Sequence, residues 1–195
     1  MAPTLLGIFP MVMMFLITSI TTLRERRSGT LDRLLSMPVG KLDFILGYAI
    51  AFSVIAFLQA IITSAVLLGG LGITVAGGIV ATILGAVAAA LLGTGLGLFS
   101  SAFATTEFQA IQFMPAFIFP QLLLCGLFVP RDHMAAPLQW IANVMPLTYS
   151  VEAMQQVAKF PGWTATHTKD IVIVFAFTIG ALLLGALTIR RQQQP

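Results

Sequence analysis

The chain alternates long apolar runs with short polar connectors. Five runs, residues 4–23, 44–68, 79–100, 110–129 and 171–189, contain no Asp, Glu, Lys, Arg or His. A helix needs about 20 residues to cross the hydrocarbon core of a bilayer, and each run is near that length. Helices are expected because in lipid every backbone amide must be satisfied within its own element or a closed barrel. The pattern therefore predicts an all-α polytopic membrane protein with about five transmembrane helices, built as a single domain over residues 1–195. The first run does not read as a signal peptide. No basic stretch precedes it, and its basic residues follow it, where a small-residue cleavage site would be needed.

Finer patterns lie inside the runs. In the third, Ala81, Gly85, Ala89, Gly93, Gly97 and Ser101 recur every four residues and form one stripe of a helix. Small residues let a second backbone approach closely, either within one subunit or at a dimer seam. The fourth run carries Pro115 and Pro120, which predict a bend. Polar groups inside the runs are Ser53, Gln59, Thr63, Ser64, Thr82, Thr94, Gln112, Gln121 and Thr178, expected as hydrogen bonds between helices. The connector 130–170 is too apolar for a plain solvent loop. Leu138, Ile141, Ala142 and Met145 fall at helical spacing between two prolines, Pro137 and Pro146. Trp140 and Trp163 favour a membrane interface. One or two short helices dipping into the outer leaflet are expected over 137–145 and 148–159, with an exposed amphipathic surface helix as the alternative.

Composition agrees. Hydrophobic residues make up 58% of the chain and charged residues only 9%, against about a quarter in soluble domains. The net charge of +3 is small, and its placement says more than its size. Five of the ten Lys and Arg lie between Arg24 and Lys41, and Arg190 and Arg191 end the last run. Such clusters anchor the cytoplasmic ends of spans, so 24–43 and the C-terminus are assigned to the cytoplasm and nucleic-acid binding is not expected. Strict alternation then sets 101–109 inside, with 69–78 and 130–170 outside. It also sets Met1 outside. The one cysteine, Cys125, sits in an apolar run and reads as a small core residue.

Candidate chemistry is sparse. No phosphate-binding GxxxxGK[ST], GxSxG or HExxH pattern occurs, so no catalytic, cofactor or metal residues are assigned. His133 and His167 lie in the outer connector without an acidic pair at ligand spacing. With no ionisable residue in any run, a proton- or sodium-driven carrier is disfavoured. The connector from Glu25 to Pro38 is the most informative stretch. Gly29 breaks the preceding helix, Thr30 is a good N-cap, and Asp32 suits a first turn. Leu31, Leu34 and Leu35 make an apolar face, and Pro38 ends the element. A short amphipathic helix over 30–37 is expected at the cytoplasmic surface. Its apolar face could meet the bilayer interface, the chain's own helices or a partner.

These residues carry a resemblance. Glu25, Arg26, Gly29, Thr30, Leu31, Asp32, Leu34 and Pro38 resemble the E-R-x-x-G-T-L-[ED]-x-L-x-x-x-P segment of ABC-2 type exporter permeases. A second block is similar to that family's C-terminal signature. It comprises Gly126-Leu127-Phe128-Val129-Pro130, then Pro137-Leu138-Gln139-Trp140-Ile141, then Pro146-Leu147-Thr148-Tyr149 and Glu152-Ala153-Met154. The resemblance covers nearly the whole chain. Departures are Asp32 where Glu is common, Gly47-Tyr48 in place of Gly-Lys, Gln155 in place of a basic residue, and five spans where the family usually has six, the first being the one lacking.

The resemblance implies a plasma-membrane exporter subunit without an ATPase site of its own. ATP would be bound by a separate ABC ATPase, and a second permease copy, in a homodimer, would complete the pathway. Residues 30–37 would be the coupling helix. Its contact residues would be Glu25, Arg26, Gly29, Thr30, Leu31, Asp32, Leu34, Leu35 and Pro38. The short outer helices would form a re-entrant gate marked by Gly126, Phe128, Pro130, Pro137, Trp140, Pro146 and Tyr149. The cargo expected is hydrophobic or amphipathic, drug or lipid-like. The alternatives are a gradient-driven carrier or channel, and a non-transporting scaffold or truncated remnant.

Overall fold

The computed structural model describes residues 2–29 and 41–188. Its helices are α1 (Ala2–Leu5), α2 (Phe9–Arg27), α3 (Lys41–Ala65), α4 (Ile79–Ser101), α5 (Glu107–Leu124), α6 (Ala136–Val144), α7 (Pro146–Lys159) and α8 (Ala165–Thr188). A π-helical turn, Val66–Gly70, extends α3, and a 3-10 turn, Arg131–His133, precedes α6. Among the described residues, four helical segments are long and apolar enough to cross a membrane: Pro3–Arg27, Leu46–Gly70, Ile79–Ser101 and Ala165–Thr188.

The expected run 110–129 departs from that set. Its helix is α5, which starts early because the Thr106 side chain caps it by accepting from the Gln109 amide at 3.1 Å. It stops early because Gly126 takes φ +84°, the left-handed conformation that ends helices one residue past the C-cap Cys125. The resulting 18-residue helix carries Glu107, Gln109, Gln112 and Gln121 along with both prolines. The first expected run is also divided. Pro10 has no N–H to bond back to Leu6, and residues 6–8 tighten into successive i→i−3 bonds of 3.0 Å.

The core is built on α4. Helices α2, α4 and α8 run parallel, and α3 packs antiparallel along α4. The small-residue stripe works within the subunit. A Cβ at Gly97 would stand 2.7 Å from the Phe15 carbonyl oxygen, and one at Gly93 would overlap the backbone of Met11. Further along, Ser100 Oγ donates to Ser19 Oγ at 3.3 Å. On another face of α4, a Cβ at Gly95 would lie 3.1 Å from the Thr178 carbonyl oxygen on α8. Phe52 and Ala56 of α3 pack with Met14, Ala90 and Leu98. The opposite side of α3 exposes Leu46, Ile50, Val54, Phe57, Leu58, Ile61 and Ile62, as a lipid-facing surface does.

Five of the nine polar groups expected to bond between helices bond locally instead, whereas Gln121 does bond to another helix. Ser53, Thr63, Thr82, Thr94 and Thr178 each donate to the carbonyl four residues earlier on their own helix. A hydroxyl on a helix reaches that carbonyl without help from a neighbour, so the bond forms locally.

Connector placement follows the alternation expected from the sequence. Arg24 at the end of α2 meets Glu107 at the start of α5. At the other end, the Gly77 amide donates to the Val157 carbonyl at 2.8 Å, and Ser150 Oγ donates to the Gly7 carbonyl at 2.9 Å.

Candidate functional site

One rim of the bundle, where the sequence reading expects the cytoplasm, is built from the ends of α2 and α4 and the start of α5. Arg24 binds Glu107 through two nitrogens, Nε to Oε1 at 2.8 Å and Nη2 to Oε2 at 2.9 Å. The Arg24 guanidinium, by this hydrogen bonding, holds the exposed Glu107 carboxyl below its usual range. Arg26 folds back within the chain. It donates to the Ala102 carbonyl at 3.0 Å, to Ala104 at 3.3 Å and to Ser101, placing a cation on the carbonyl end of α4. Glu25 faces a cleft of about 430 Å³ between α2 and α3, beside Thr21, Tyr48, Phe52 and Ile55. Its Oε2 is buried without a hydrogen bond. Gly29 adopts φ +74°, which fits the helix break expected there. The other proposed coupling residues, Thr30, Leu31, Asp32, Leu34, Leu35 and Pro38, lie outside the described residues.

The opposite end, expected from the sequence to be the outer one, is built from the strap after α5 and from α6 and α7. The two short helices differ in setting. Only Ala142 of α6 is buried, and Trp140 is 75% exposed, so α6 lies on the surface of the bundle. Helix α7 enters the bundle and buries Pro146, Leu147, Val151, Met154 and Val157. Met145 is extended between them, as the residue before a proline tends to be. Gln121, inside α5, accepts from the Leu147 amide at 3.1 Å and donates to the Phe117 carbonyl at 2.8 Å, tying α5 to the first turn of α7.

Arg131 is the hub of this end. It donates to Glu152 Oε2 on α7 at 2.6 Å and to Asn143 Oδ1 on α6. Tyr149 Oη donates to the Asn143 carbonyl at 2.7 Å and its ring stacks near Phe177 of α8, centroids 6.3 Å apart. Gln155 reaches the Gly126 carbonyl at 3.4 Å. Arg131, Asn143, Glu152, Gln155 and Gly126 line a cavity of about 730 Å³, with Phe128, Pro130 and Lys159. Of the seven residues assigned to the gate, Gly126, Phe128 and Pro130 line this cavity. Pro146 and Tyr149 fix the start of α7, while Pro137 begins α6 and Trp140 points away from the bundle.

Residues 2–158 match the family model described as ABC-2 type transporter. The chain belongs to that family. Among relatives, this ABC-2 chain is similar to the probable multidrug ABC transporter permease YbhR of Escherichia coli (strain K12). The two are 28% identical over 155 residues, which make up 80% of this chain and 42% of YbhR. It is also similar to ABC transporter G family member 20 of Dictyostelium discoideum, 25% identical over 167 residues, 86% of this chain and 23% of the relative. YbhS of Escherichia coli (strain K12) is 24% identical over 143 residues, 73% and 38% of the two lengths. The ABC-2 chain thus spans less than half the length of the curated relatives it matches.

Two functional candidates escaped the sequence reading. The run 171–189 is the apolar part of a longer helix that starts at Ala165, because Thr164 Oγ1 accepts from the His167 amide at 3.1 Å and caps it. That extension puts His167, Lys169 and Asp170 on the first two turns of the helix, ahead of the charge-free run 171–189. Thr164 before an apolar run was the available signal. The Arg131–Glu152 pair, 21 residues apart in sequence, had none.

Proposed function

We propose that this chain is a membrane-spanning permease of an ATP-binding-cassette exporter, driven by ATP that a separate ATPase subunit hydrolyses. The match of residues 2–158 to the ABC-2 type transporter family carries the reading. Two relatives bear the printed description of probable multidrug ABC transporter permeases, which supports a hydrophobic or amphipathic cargo. The apolar lining of the inner cleft by Tyr48, Ala51, Phe52 and Ile55 fits such a cargo.

In this reading the chain works in the plasma membrane with its basic clusters and C-terminus in the cytoplasm, and pairs with a second copy. Residues 30–37 seat in the ATPase through Leu31, Leu34 and Leu35. Closure of the ATPases moves that segment, tilts α2 and α3, and carries the strain along α4 to α7. The pathway opens outward when α7 shifts and the Arg131 bridge to Glu152 and Asn143 rearranges.

The test is transport in proteoliposomes holding the permease and its ATPase. Efflux of an amphipathic dye should require hydrolysable ATP and persist when an ionophore collapses the ion gradients. Efflux that ignores ATP and stops with the ionophore would support the gradient-driven alternative instead.

A further inference from the structure

The outer half of α8 holds two ionisable side chains that the export reading does not use. Asp170 and His167 are each 1% exposed. They are three residues apart, on one face of the helix. Asp170 Oδ2 and His167 Nε2 are buried without any hydrogen-bond partner. The other imidazole nitrogen, Nδ1, faces the Ala153 carbonyl of α7 at 3.2 Å, and Trp163 stands edge-on to the ring at 5.1 Å. No ion pair or hydrogen bond reaches the Asp170 carboxyl among the described residues.

The charges that face Asp170 are few. Lys169 is its neighbour on α8, Glu152 comes from α7, and Arg131 comes from the 3-10 turn. Arg131 is already engaged with Glu152 and Asn143. Helix α4, packed along α8, has no titratable side chain. Helix α3 carries Lys41, Asp43 and Tyr48 toward its other end. Among the described residues no cluster of three or more His, Cys, Asp or Glu could hold a metal ion.

A carboxylate in such a place is unstable as an anion. Removing it from water without a donor or a cation is strongly unfavourable, and the usual resolution is that the group takes a proton. Glu152, a like charge, favours the same outcome, while Lys169 and Arg131 oppose it more weakly.

We infer that Asp170 is a proton-binding site of the closed outer gate, protonated while α7 covers it and deprotonated when the gate opens. On opening, water reaches the carboxyl, its O–H bond breaks, the electron pair stays on the carboxylate and the proton goes to the outer solution. The ionised Asp170 then competes with Glu152 for Arg131 and holds the bridge in its rearranged form. By linkage, a proton bound only in the closed state means that higher external pH favours the open state and lower pH the closed one. The gating half of this inference rests on the exporter reading, whereas the protonation of Asp170 does not.

Infrared difference spectroscopy of the purified full chain in lipid nanodiscs tests the protonation directly. At neutral pH the wild type should show a protonated carboxyl band that disappears in Asp170→Asn and survives in Glu152→Gln. Asp170→Glu, which keeps a carboxyl should Asp170→Asn fail to fold, should shift the band. Absence of the band in the wild type, or a band that neither variant at Asp170 changes, overturns the proposal. For the gate, Gln156→Cys in a Cys125→Ala background reports opening by its rate of labelling from outside. The ratio of that rate to the rate in the same chain carrying Asp170→Asn should rise as external pH rises. A ratio flat with pH, in protein that shows the band, removes the gating half and leaves the proton site standing.

Discussion

Gly93 on α4 and Met11 on α2 meet backbone to backbone: a carbon added at Gly93 would stand 2.9 Å from Met11 Cα and 2.8 Å from its carbonyl carbon. No side-chain rotation relieves such a contact, so Gly93→Ala must separate the two helices. The expected loss is about 1–3 kcal/mol, the usual range for overpacking. Gly180, on α8, has nothing within 4 Å of its added carbon, and Gly180→Ala should be neutral or stabilising by about 0.5–1 kcal/mol. Thermal unfolding of both variants in detergent checks the contrast.

The stripe that contains Gly93 was readable from spacing alone, but not what it packs against. Composition and run length gave the all-helical membrane class, and alternation of the runs gave which connectors share an end of the bundle. Helix ends were less legible because single residues decide them. Thr164 lengthened α8 and Gly126 shortened α5. The outer hub was illegible because Arg131, Asn143 and Glu152 converge only after α6 and α7 have packed. Arg26 shows the opposite case. Its motif suggested an outward role, while the nearest unsatisfied carbonyls, at the end of α4, lie within the same chain.

The Arg131 bridge should hold α6 to α7. Arg131→Ala removes two charge-assisted bonds from groups that are about one-third exposed, 27% for Arg131 and 33% for Glu152. Partial solvation lowers the expected destabilisation to about 1 kcal/mol. Hydrogen exchange should quicken in residues 136–150 and stay unchanged in α4. Equal exchange in the wild type and in Arg131→Ala would show that apolar packing of α7 alone fixes this end.

The Arg24–Glu107 pair gives a pH signature. The folded carboxyl lies below its ordinary value of 4.5, so its contribution to stability is present above that value and is lost as the pH falls through the depressed folded value. Wild type should therefore lose stability on acidification below about pH 4.5 more than Glu107→Gln does. Both groups are exposed, so the difference should be small and should shrink with added salt. Parallel thermal melts from neutral to acid pH measure it.

In the coupling segment, Leu34→Arg should abolish ATPase docking while leaving membrane insertion intact. Burying an unpaired charge in an apolar contact costs about 2–5 kcal/mol. Affinity purification of the tagged permease, blotted for the ATPase, reads the loss directly. Leu34→Met, apolar and of similar volume, should retain binding.

The sidedness of residues 30–37 bears most directly on the account. Ser36→Cys in a Cys125→Ala chain should resist a membrane-impermeant thiol reagent in intact cells, react in inside-out vesicles, and become protected when the ATPase binds. Labelling of Ser36→Cys from outside intact cells would contradict the account, because a segment on that face cannot receive force from a cytoplasmic ATPase.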